Sequence, residues 1–221
     1  MSAEKKTGEE KSASFISEPV RKRLPSYYRM LVRLYADGHM RISSDELAAV
    51  MHSTPSQVRG DLLSIGCSGR KGYGYLITKL YNRIGEVMQI QDSYSAVMIG
   101  GGSLASVLSG CHLFTKRGVK LVGSFAAECR EAALDGNGRE CGRYVYDTAE
   151  IERFCRETQV DIMILACDAE NATALAALAE RVGISGIWNF SDTDIKSESL
   201  AVRNVHIEDS LMMLCSEIKQ K

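Results

Sequence analysis

The chain has 221 residues, 45% apolar and 25% charged, which suits one large domain or two modest ones with a proper core. No run of about 18 uninterrupted apolar residues occurs, so no bilayer-spanning segment is expected. The net charge of −1 conceals an asymmetry: residues 1–90 hold fourteen Lys and Arg against nine Asp and Glu, residues 91–221 thirteen against nineteen. That layout is the one expected when only the front half meets a polyanion.

Residues 1–15 are polar and charged, lack the apolar core of a secretion signal, and read as a disordered tail. The expected compartment is the cytoplasm. A first domain is expected over residues 16–91. Leu24, Tyr27, Tyr28, Leu31, Leu34 and Tyr35 recur at helical spacing and predict a helix near Pro25–Ala36, with Pro25 in its first turn. Asp37-Gly38 ends it. Ser43 and Glu46 have capping-box spacing and open a short second helix. Thr54-Pro55 supplies a cap and a first-turn proline for a third helix through about Ser64.

Two short helices joined by a tight polar turn read as a helix-turn-helix. The third helix would present Ser56, Gln57, Arg59 and Gly60 where base edges and phosphates are met. Gln57 suits adenine, and Arg59 guanine or phosphate. The alternative is an ordinary helical hairpin with solvated polar residues. The adjoining segment favours the first reading. Gly66-Cys67-Ser68-Gly69-Arg70-Lys71-Gly72-Tyr73-Gly74-Tyr75 packs four glycines around two basic residues, as a small β-hairpin wing requires. Arg70 and Lys71 at its tip, with Tyr75 beside them, complete the expected DNA-contacting set. Leu76–Gln91 reads as an amphipathic connecting helix.

A second domain is expected over residues 92–207. The apolar run Ser95–Ile99 ends in Gly100-Gly101-Gly102-Ser103-Leu104-Ala105. This is G-x-G-x-x-A with a strand before and a helix after, as a dinucleotide fingerprint requires. The glycines allow the turn and a close backbone approach to a pyrophosphate, and Ala105 permits tight helix–strand packing. Further strands are expected at Lys120–Phe125, Val160–Ala166, Gly186–Phe190 and Ala201–Ile207. Between them come a loop, a helix at Thr148–Thr158 and a helix at Ala169–Val182. Strands alternating with helices give a Rossmann-type α/β parallel sheet. Residues 208–221 read as a C-terminal helix.

With both halves in place, the chain resembles the Rex family of bacterial redox-sensing repressors over about residues 16–218. The resemblance rests on Arg23-Leu24-Pro25-Ser26-Tyr27-Tyr28-Arg29, Ile42–Leu47, Gln57-Val58-Arg59-Gly60-Asp61, Lys71–Tyr75, the glycine fingerprint, Gly186–Phe190 and Val202-Arg203-Asn204-Val205. It implies a homodimer with a swapped C-terminal helix that binds palindromic double-stranded operator DNA with NAD bound and releases it as NADH accumulates. It implies cofactor contacts from Gly100 to Ala105, Glu128, Asn189 and Phe190. The sequence departs from the family in the ligand site. Ala126 stands at the ribose-holding aspartate, Cys111 at a tyrosine, His206 at the aspartate after R-N-V, and Gly60 at a basic residue. Weakened or redirected sensing, of NAD(H) or another nucleotide-like ligand, is the expectation. Cys111 and His206 would form a thiol–imidazole redox sensor if they meet; the plainer reading makes both packing residues.

A small NAD(P)-dependent or CoA-ligase-like enzyme on the same core is the alternative function. Against it, no compact His/Lys/Tyr or Ser/His/Asp constellation with catalytic spacing is apparent. The seven cysteines show no C-x-x-C and no zinc-site spacing, so free thiols and no metal are expected.

Overall fold

The computed structural model describes residues 16–90, 92–101, 103–110, 114, 118–126, 139–140, 143–147 and 150–219. It divides into two units, Met1–Gln91 and Asp92–Lys221. The first unit runs α1 (Glu18–Ala36), β1 (Arg41–Ile42), α2 (Ser44–Val50), α3 (Pro55–Ser64), β2 (Tyr75–Leu76) and α4 (Ile77–Val87).

Helix α1 begins seven residues before the position read from Pro25. Pro19 takes the first turn and Pro25 lies inside the helix. An interior proline costs about 3 kcal/mol through its missing N–H and its clash with the preceding turn. Burial outweighs that cost: Val20, Leu24, Tyr27 and Leu31 form one stripe packed into the unit's core. The local breaker signal lost to a tertiary one.

The caps follow local chemistry. Ser43 Oγ accepts the Glu46 N–H at 3.1 Å, and Glu46 Oε2 accepts the Ser43 N–H at 2.8 Å. Thr54 Oγ1 accepts the Gln57 N–H at 3.2 Å, with Pro55 at the first helical position. Val58, Leu62 and Ile65 then turn α3 onto the core. Gly60 sits mid-helix, where an added Cβ would meet nothing within 4 Å. Gly60→Ala is therefore expected to stabilise the protein by about 1 kcal/mol, read as a higher urea midpoint at unchanged slope. A lower midpoint would contradict the open surroundings.

The second unit runs β3 (Tyr94–Ile99), α5 (Ser103–Gly110), β4 (Val119–Ala126), β5 (Arg139–Glu140), β6 (Arg143–Asp147), α6 (Ile151–Thr158), β7 (Ile162–Leu165), α7 (Ala169–Val182), β8 (Gly186–Asn189), β9 (Ala201–Asn204) and α8 (Ile207–Ile218). Among the described residues the sheet order is β5-β6-β4-β3-β7-β8-β9, parallel throughout except for the β5–β6 hairpin. The β5–β6 hairpin occupies part of a stretch read as loop. Its polar Arg143-Tyr144-Val145-Tyr146-Asp147 lacks an apolar run, and pairing with β4 makes it a strand.

The central strand is apolar on both faces because both faces are covered. Ala96 and Met98 of β3 join Ala105 and Phe114 on one side; Val97 and Ile99 join Ile151, Cys155 and Ala172 on the other. Strand β9 stops at Asn204 rather than Ile207, and α8 starts at once after His206.

Candidate nucleic-acid interface and dinucleotide crevice

The wing is built on backbone fit. Arg70 and Gly74 exchange backbone hydrogen bonds at 3.0 and 2.9 Å, closing a turn over Lys71, Gly72 and Tyr73. Gly74 has φ +64° and lies against the Ile42 carbonyl, where any Cβ would overlap it. The β1–β2 pairing, Ile42 opposite Tyr75, fixes the wing root.

Between the wing, the start of α2 and Arg59 of α3 lies an open groove of about 790 Å³. Arg41, Arg59, Arg70 and Lys71 line it against two carboxylates, Asp45 and Glu46, which leaves an excess of positive charge. Ser56, Gln57, Arg59, Arg70 and Lys71 are all exposed. Among the described residues no carboxylate lies within ion-pair distance of the four lining cations. Arg59 reaches the Ser44 hydroxyl at 3.1 Å. The groove is positive and its cations are available to phosphate.

Tyr75 departs from the expected set. Its ring is buried at 8% exposure, packs beside Gly69 and belongs to the core cluster. Burial pushes its hydroxyl pKa up. It anchors the wing from within. The outward aromatic is Tyr73, 65% exposed, with the Arg41 guanidinium 5.9 Å from its ring centre and donating to its carbonyl at 3.4 Å. Sequence reasoning passed over Arg41 and Tyr73; the strand–wing pairing alone brings them together.

It also passed over what holds α3. Asp61, 3% exposed, accepts both prongs of the Arg23 guanidinium at 2.7 Å and the Tyr27 hydroxyl at 3.0 Å. That network ties α3 to α1. Desolvation by burial, then the Asp61 charge, raises the Tyr27 pKa.

In the second unit, the order β6-β4-β3-β7-β8-β9 reverses direction between β3 and β7, the position where such sheets open a crevice for ligands. Gly100 ends β3 there, its N–H bonded to the Phe125 carbonyl at 2.8 Å. Gly101 and Ser103 are exposed, Leu104 is half-buried, and Ala105 is packed against β3 and β7. Gly102, Glu128 and Cys111 lie outside the described residues. Ala126 pairs with Asp147 at the neighbouring carboxyl end of β6.

Asn189 does not remain available to a ligand. Its amide N–H groups go to the Thr193 carbonyl at 2.7 Å and Asn204 Oδ1 at 2.9 Å, while its carbonyl accepts the Ser191 N–H and hydroxyl at 3.0 and 2.7 Å. All four hydrogen-bonding positions are filled within the protein. Phe190 is half-buried, its ring 4.7 Å from that of Trp188. His206 Nε2 lies 3.0 Å from Asp194 Oδ1, and that bond raises its pKa. Burial pushes the Cys155 and Cys167 thiols up to about 11, which leaves them protonated at neutral pH.

Comparison with known proteins places these features together. Residues 15–62 match the family described as "Putative DNA-binding protein N-terminus". The redox-sensing transcriptional repressor Rex of Thermotoga petrophila is 36% identical over 209 residues, 95% of this chain and 99% of that protein. The crystal structure of RSP in complex with β-NAD+ and operator DNA is 33% identical with a TM-score of 0.83, covering 94% of each chain. RSP in complex with β-NADH gives 32% and 0.81, over 94% of this chain and 96% of that one. A winged helix followed by a Rossmann-type sheet, with relatives of this kind, defines a transcriptional regulator. The chain belongs to the Rex family of redox-sensing transcriptional repressors. The enzyme alternative gains no support from these relatives.

Proposed function

We propose that this chain binds palindromic double-stranded operator DNA as a homodimer in the cytoplasm and takes NAD(H) at the β3–β7 crevice. One observation carries the DNA reading: Arg59, Arg70 and Lys71 stand exposed around a single groove beside α3. Helix α8 supports the dimer. None of its residues is buried, and Leu211, Met212, Met213 and Leu214 are each more than half exposed. An apolar helix left without cover fits exchange with a second copy. Two copies place two recognition helices on two half-sites. The domain plan in this reading is a tail over 1–15, a winged helix over 16–91, a nucleotide domain over 92–207 and a swapped helix over 208–221.

The crevice suits a dinucleotide through its backbone. Gly100 and Gly101 bring main chain to the crevice mouth, and Ser103 opens α5, a helix N-terminus suited to a pyrophosphate. Gly102, Leu104 and Glu128 complete the cofactor-binding set. Ala105 serves packing, and Phe190 borders the same face of the sheet. The bound dinucleotide would supply the redox signal by its own oxidation state. Cys111 and His206 stand where the family pattern has a tyrosine and an aspartate, so discrimination between NAD+ and NADH is weaker than the family pattern implies. His206 engages Asp194, which supports the plain packing role over a thiol–imidazole sensor.

Gel shifts on genomic fragments, repeated from 50 to 200 mM salt, test the first half. A dimer neutralising about six phosphates loses about a thousandfold in affinity across that range. Salt-insensitive or absent binding would remove the proposal. Calorimetric titration with NAD+ and NADH tests the second half. Binding of both with similar affinity is expected; NADH releasing the operator while NAD+ retains it would show that discrimination is intact.

A further inference from the structure

Helix α3 exposes a face that polar chemistry does not account for. Val58, Asp61, Leu62 and Ile65 point inward. At helical spacing, Ser56, Gly60 and Leu63 fall within about 60° of one another on the opposite side. Arg59 and Gln57 flank them, both exposed. Leu63 is 67% exposed, the most of any large apolar side chain among the described residues. Gly60 lies one turn before it, with nothing within 4 Å of where a Cβ would stand. An unshielded leucine thus stands on the outward face near the C-terminal end of α3, the face flanked by Arg59 and Gln57.

We propose that Leu63 is a specificity-determining residue that reads the C5 methyl group of a thymine in the major groove. This rests on the DNA-binding reading of the same helix. The occupant follows from charge and chemistry. Arg59, exposed beside this face, also lines the cationic groove with Arg70 and Lys71, and together they call for a polyanion at α3. Of the four base pairs' edges in the major groove, only thymine offers an apolar group. Ser56 and Gln57 supply hydrogen bonds to polar edges and leave the methyl contact to Leu63. Gly60 removes the side chain that would otherwise cover Leu63 from the preceding turn, so the leucine approaches the base floor directly.

The test starts from a palindromic duplex selected by the wild-type protein from a random pool. Each thymine of a half-site is then replaced by deoxyuridine, which lacks only the methyl group. At one position per half-site the wild type is expected to lose about fourfold in affinity, the worth of one buried methyl. Leu63→Ala, an exposed substitution that leaves the fold intact, is expected to bind the two duplexes equally. If the fourfold loss persists in Leu63→Ala, or no thymine position shows it in the wild type, the inference falls while DNA binding stands. If the wild type selects no duplex at all, the DNA-binding reading itself falls.

Discussion

Gly100→Ala is expected to cost about 4 kcal/mol or more and to unfold the second unit at ordinary temperatures. Gly100 has φ +147°, a conformation that L side chains rarely adopt, and an added Cβ would overlap the Ala166 carbonyl oxygen and carbon. Neither partner can yield cheaply. The Ala166 N–H is bonded to the Ile99 carbonyl at 2.8 Å, and the Gly100 N–H to the Phe125 carbonyl at 2.8 Å, so both backbones are fixed by the sheet. Relief would require β3 and β7 to separate at the crevice, where β3 packs on both faces. Circular dichroism during urea denaturation would report the loss, and a midpoint equal to that of the wild type would contradict the packing described. The first fingerprint glycine is thus required by the sheet before any ligand is considered.

Asp61→Ala is expected to cost about 2–3 kcal/mol and to abolish operator binding with it. Removing one partner of a buried ion pair costs about 3–5 kcal/mol, because the other charge is left without its match. The smaller figure applies because the Arg23 side chain is 34% exposed and recovers part of its solvation from water. Tyr27, 1% exposed, has no such recourse for its hydroxyl. The affinity loss follows from position: Asp61 is the side-chain tie that orients α3 on α1. Asp61→Asn keeps an acceptor oxygen and is expected to recover part of the stability. The same network sets an alkaline limit. The raised Tyr27 pKa means the unfolded chain ionises first, so stability falls as pH climbs above about 10. Denaturation midpoints for the three proteins between pH 7 and 11 test both statements, and an Asp61→Ala midpoint within error of wild type would refute the tie.

Local rules were legible wherever short-range chemistry decides. The Ser43–Glu46 box and the Thr54-Pro55 start depend on residues within a few positions of one another, and both form as read. The apolar runs declared a covered parallel sheet for the same reason: burial on two faces demands a continuous apolar strand. The resemblance carried by seven short segments pointed to the family that the relatives share.

Long-range geometry decided the rest. Pro25 sits inside a helix because core burial along α1 overrides a local breaker. The polar strand β6 exists because β4 offers it an edge. Tyr75 and Asn189 looked like ligand-facing groups, yet one is drawn into the core and the other spends its hydrogen bonds on neighbouring chain. Asp61 looked like one more polar residue on a recognition helix until Arg23, 38 positions away, closed on it. By itself the amino-acid order determined where the capped helices begin and where the continuously apolar strands run, since capping and periodicity act over one or two turns. Which polar groups remain free to meet a ligand was settled by tertiary packing alone, because a hydrogen bond's partner is chosen in space.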